Sequence, residues 1–157
     1  MSTVDQSLSS LLSDELTLIE QLETVLQQER DCLLTDDLES LQTNTQTKSE
    51  LVLKLTIANQ QRLAKLTENG QPKDAQSMKN WLAQSTDQAS EKLWERLLTI
   101  TQNTKELNNA NGLLLNKLVA RTQNALNFLE SHSNNTTTLY GPDGQNAISS
   151  FKLNISI

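Results

Sequence analysis

The sequence predicts an all-α protein built from long antiparallel helices in an up-and-down, coiled-coil-like bundle, followed by a flexible C-terminal tail. Three observations carry that expectation. Twenty-nine of the 157 residues are Leu, while Gly, Pro and aromatic residues are scarce. Straight-chain residues lose little rotamer freedom in a helix, whereas sheets favour the β-branched and aromatic residues used sparingly here. The apolar fraction is only 36%, which suits narrow seams between helices better than a thick globular core. Finally, apolar residues recur at three-to-four spacing over three long stretches.

The first helix is expected from about Val4 to Leu34, on the stripe Leu8, Leu11/Leu12, Leu18/Ile19, Leu22, Val25/Leu26 and Leu33. Glu15 and Glu29 sit on or beside that stripe and make it imperfect. Thr35-Asp36-Asp37 interrupts the pattern. Asp36 with Glu39 three residues on resembles a capping box, and Asp37 suits the positive end of the next helix. That second helix is expected over about 37–67, on Leu38, Leu41, Val52, Leu55, Leu63 and Leu66, with Thr45 and Lys48 filling the middle. Gly70 and Pro72 end it. Asp74 opens a short helix near 74–85 that carries Met78, Trp81 and Leu82.

A third long helix is expected to start near Thr86-Asp87 and reach about Glu130, on Leu93/Trp94, Leu97, Ile100, Thr104, Leu107, Asn111, Leu114/Leu115, Leu118, Ala125 and Phe128/Leu129. Its polar middle and the Thr45–Lys48 zone would face each other in an antiparallel pair. A few polar groups inside a seam fix register at some cost in stability. Short connections make sequential helices antiparallel, so a third helix starting beside the 68–73 turn must outrun the first two by a dozen residues. Leu118, Leu126, Phe128 and Leu129 would then project past the Thr35 turn, and an uncovered apolar overhang marks a partner surface. Two alternatives stand beside the overhang: the short helix shifts the register, or the chain forms a homodimer. Residues 1–131 thus form the bundle and 132–157 the tail. The tail holds a turn at Tyr140-Gly141-Pro142-Asp143-Gly144 and a strand-like alternation of Phe151, Leu153, Ile155 and Ile157.

Charge and chemistry narrow the function. Residues 1–41 hold ten acids and one base, a balance of −9, whereas the remainder sums to +3. A net charge of −6 without a basic stripe argues against nucleic acid. No apolar run approaches the roughly 20 residues that span a bilayer. The acidic N-terminus is not expected to act as a signal peptide, and a single cysteine, Cys32, suits a reducing cytoplasm. His132 is expected in a polar linker, and carboxylates beside Cys32 oppose its thiolate. Phosphate loops, metal-ligand spacings and nucleophile elbows are absent, so neither an enzyme nor a cofactor is expected.

The stretch Leu107-Asn108-x-x-Asn111-Gly112-x-Leu114-Leu115, a helical run, and then Thr138-Leu139-Tyr140-Gly141-x-Asp143-Gly144-Gln145 resembles the FlgN family of flagellar export chaperones. The Glu29–Leu55 region, with Lys48 before a leucine-rich run, is similar to the same family, whereas residues around 68–88 match nothing. That resemblance implies a cytosolic chaperone that holds the helical end of unfolded hook-associated (hook–filament junction) proteins and delivers them to the type III export gate. Asn111, Leu114, Leu115, Leu118, Leu126, Phe128 and Leu129 are the expected cargo surface, and Leu139, Tyr140 and Gly141 the expected gate-docking turn. A structural coiled-coil adaptor is the other class that fits the residues.

Overall fold

A computed structural model describes residues 3–72, 76–85 and 87–133. It contains four helices: α1 (Thr3–Thr35), α2 (Leu38–Glu68), α3 (Ser77–Gln84) and α4 (Gln88–Ser133). Three are long, about 50, 46 and 69 Å at 1.5 Å per residue. The helix starting at Gln88 is the third long one expected, and it continues through the last predicted residue, Glu130, to Ser133. The expected short helix begins at Ser77 rather than near Asp74, which lies outside the described residues.

The breaks follow local chemistry. Asp36 sits in the left-handed region, φ 57°, a conformation that Asp tolerates because its short side chain bonds locally. The cap of α2 is Asp37, which accepts the Ser40 N–H at 3.1 Å. The expected Asp36–Glu39 capping box is therefore displaced by one residue, because Asp36 is spent on the turn. Hydrogen bonds from the Ser40 side chain and backbone hold the Asp37 carboxyl below the usual carboxylate range. Asp87 does the same at the start of α4. It accepts from Ser90 Oγ at 2.7 Å and Ala89 N–H at 3.0 Å, and the Ser90 bond chiefly lowers its pKa. At the far end of α2, Gly70 adopts φ 78°. Its N–H bonds Thr67 O and the Gln71 N–H bonds Leu66 O, so two otherwise orphaned carbonyls are satisfied.

The long helices run up, down and up. α1 packs along both α2 and α4, while the α2 and α4 backbones barely approach each other. The core is consequently the apolar face of α1, comprising Leu8, Leu12, Leu16, Ile19, Leu22, Val25 and Leu26. Leu51, Leu55 and Leu66 meet it from α2, Trp94 and Leu97 from α4, and Met78 and Trp81 from α3. The stripe of α2 differs from the expected one. Asn44, Leu51, Leu55, Ala58, Asn59, Arg62 and Leu66 face inward, whereas Leu38 is 62% exposed. Apolar periodicity assigns Asn and Arg to the outside, and here both sit inside because α1 supplies their partners.

Candidate functional site

Polar residues divide the seam into layers. Glu15 and Arg62 are 1% and 2% exposed and form a two-point pair, Nε to Oε2 at 2.7 Å and Nη2 to Oε1 at 3.4 Å. The guanidinium carbon also lies 4.9 Å from the Trp94 ring centroid, so one cation joins all three long helices. A second layer is built on Glu29, which accepts from Lys48 Nζ at 3.0 and 3.1 Å and from Asn111 Nδ2 at 2.8 Å. The same Asn111 amide donates to Leu26 O at 2.7 Å, and Asn44 donates to Val25 O at 3.0 Å.

The polar zones of α2 and α4 therefore do not face each other directly. They meet through Glu29 of α1, while Thr45 is turned outward and bonds Leu41 O. Glu15 and Glu29 are fourteen residues apart, and so are Lys48 and Arg62. Fourteen residues is about two heptads, so each pair repeats the same seam position. That matched spacing is the signal by which the two layers could have been found in the sequence.

Above the second layer the bundle ends and α4 does not. Arg121 Nη2 meets Asp36 Oδ1 at 2.6 Å, which ties α4 to the α1–α2 turn. Twelve residues of helix, 122–133, extend beyond that tie, about 18 Å. Every residue from Val119 to Ser133 is exposed. The seam residues continue at helical spacing through this stretch, so Ala125, Leu126 and Leu129 carry on from the half-buried Leu118 as an apolar stripe left exposed among the described residues. Leu126, Phe128 and Leu129 are 49%, 61% and 62% exposed. The expected overhang is present.

The structure separates the expected cargo residues into three environments. Leu126, Phe128 and Leu129 lie on the free end, and Leu114, Leu115 and Leu118 are half-buried where it leaves the bundle. Asn111 is 2% exposed with its amide committed to α1, so it anchors the helix and is not part of the exposed surface. His132 is in the last helical turn rather than in a linker. Its Nδ1 lies 2.9 Å from Phe128 O, and its ring is 4.0 Å from the Phe128 ring. Leu139, Tyr140 and Gly141, and the alternating residues from Phe151 to Ile157, lie outside the described residues.

Gly112 stands in mid-helix at the base of this surface. A Cβ built on it meets nothing within 4 Å, so no close approach demands glycine there. A polar cleft between the end of α1 and the start of α2 is lined by Gln28, Asp31, Cys32, Thr35, Glu39 and Asn44, among others. Among the described residues no cluster of His, Cys, Asp and Glu could hold a metal ion, and no helix is long and apolar enough to cross a membrane.

Comparison with known proteins agrees in one direction. A family model described as FlgN protein matches residues 1–148. The chain is 33% identical over 144 residues to the Flagella synthesis protein FlgN of Salmonella typhimurium, covering 90% of this chain and 91% of that one. It is 30% identical over 143 residues to the protein of the same name from Yersinia enterocolitica, covering 90% of each. A shorter match, 45% over 53 residues, covers 34% of this chain and 35% of its namesake from Proteus mirabilis. No solved structure matches the chain.

Proposed function

The chain belongs to the FlgN family, and from that premise we propose that it is a cytosolic chaperone of type III flagellar export. In this reading it binds the helical terminus of unfolded hook–filament junction proteins and brings them to the export gate, without catalysis and without a cofactor. The observation that carries the reading is the free end of α4, a helix with an exposed apolar stripe that runs on past the Arg121–Asp36 contact.

Its physics suits the task. An amphipathic segment of an unfolded subunit can lay its own apolar face along Leu114, Leu115, Leu118, Leu126 and Leu129 by helix-against-helix packing. The segment loses ordering entropy as it binds, which moderates affinity and permits release at the gate. The buried layers below fix the register of α4 against α1. Leu139, Tyr140 and Gly141 then serve as the docking turn, a short stretch beyond the cargo helix where one aromatic ring can fill a pocket on the gate.

The test is a calorimetric titration of purified junction proteins against the Phe128→Ser, Leu129→Ser double variant. Both side chains are already exposed, so helicity should be nearly unchanged while affinity falls by about tenfold or more. Unchanged affinity would remove the free end of α4 as the cargo surface.

A further inference from the structure

Two exposed apolar groups flank the α1–α2 turn, apart from Leu53 and Ile57 on α2 and Leu98 and Leu113 lower on α4. One is the free end of α4, and the other is Leu34 and Leu38 on either side of the α1–α2 turn, each 62% exposed. Their spacing is set by the Arg121–Asp36 tie, beyond which Leu129 stands eight residues further on, about 12 Å up the helix. From Leu118 to Leu129 the only charged residue is Arg121, and it is already held by Asp36. Poverty of charge beside exposed leucine and phenylalanine is the composition of an interface centre.

We propose that these two patches cover each other in a two-fold dimer of this chain. Below the turn, the seam of α4 is covered by α1. Above it, the free end of a second α4 running antiparallel occupies the same line, seam against seam. Each free end is about 18 Å long, so its tip reaches back to the other copy's turn, where Phe128 and Leu129 meet the exposed Leu34 and Leu38. The contact is isologous, one composite surface used twice, and therefore closes without leaving an edge for further addition.

The area decides how tight such a dimer is. Leu34, Leu38, Val119, Leu126, Phe128 and Leu129 expose between 36% and 62% of themselves. At roughly 100 Å² for a fully buried side chain of this size, that is on the order of 300 Å² of apolar surface per copy. With the polar rim, the total falls near the low end of stable interfaces, about 1,000 Å². The dimer is thus reversible, and a cargo helix with a longer apolar face displaces the second copy. The dimer itself does not depend on the identity of the cargo.

The experiment is sedimentation equilibrium on the full chain. The expected result is a mass that rises from 17.5 kDa towards twice that value with concentration. Leu129→Gln should weaken association about tenfold or more, while Leu53→Gln, equally exposed at 62% but on the outer face of α2, should not. In a Cys32→Ser background, copies carrying Leu38→Cys mixed with copies carrying Leu129→Cys should form a disulfide-linked heterodimer on mild oxidation. A 17.5 kDa mass at every soluble concentration would overturn the proposal, as would equal sensitivity to both Gln substitutions or failure of the mixed cross-link. If the full chain is monomeric and truncation after Ser133 creates the dimer, residues 134–157 cover the patch instead. If it is monomeric and still binds junction proteins, the cargo reading survives and the dimer does not.

Discussion

Arg62→Met removes the cation that is 2% exposed among α1, α2 and α4 and leaves Glu15 at 1% exposure without its partner. Stranding a buried carboxylate in this way costs about 3–5 kcal/mol. Loss of the guanidinium from the Trp94 face, 4.9 Å from the ring centroid, adds about 0.5–2 kcal/mol. Methionine retains most of the aliphatic stem, so packing loss is the smaller part. Replacing both charged residues, Glu15→Leu with Arg62→Met, removes the desolvation cost together with the pair. That double variant should fall within about 1–2 kcal/mol of the parent, or exceed it. The coupling between the two sites is then about 3 kcal/mol or more. Urea unfolding at one fixed protein concentration, followed by far-ultraviolet circular dichroism, measures all four corners of the cycle. A single Arg62→Met cost below about 1 kcal/mol, or single effects that simply add, would refute the account of a buried, mutually dependent pair.

Gly112→Ala should stabilise the chain by about 0.8–1 kcal/mol in the same denaturation assay, since the helix gains propensity and the new methyl meets nothing within 4 Å. The Asp37 and Asp87 carboxyls are held below their ordinary 3.8 in the folded state, so their contribution is present above pH 3.8 and is lost as pH falls through the lowered values. An Asp37→Asn, Asp87→Asn variant should therefore show a shallower decline of melting temperature on acidification than the parent. Tyr140→Ala should leave cargo affinity in solution intact and reduce export of junction proteins in motile cells; equal loss of both would contradict separate holding and docking roles.

Much of this molecule is local and could be read from the chain. Gly70 with Pro72, Asp37 and Asp87 mark helix ends because turns and caps are decided within a few residues. The overhang was legible only as one of several registers, since the short helix could have shifted α4, and the Arg121–Asp36 contact decides it. The rotation of α2 was not legible. Asn44 and Arg62 occupy core positions that hydropathy assigns to solvent, and their acceptors lie on another helix, 19 and 47 residues away in the chain. Asn111 was legible as a seam position, but not its partners. Its acceptors, Leu26 O and Glu29, lie 85 and 82 residues away and take it off the expected cargo surface. Sequence by itself determined the long helices and the turns between them, because those depend on neighbours along the chain. Only tertiary structure decided which polar side chains are buried and which leucines are left uncovered. That choice depends on where the end of α1 falls against α4.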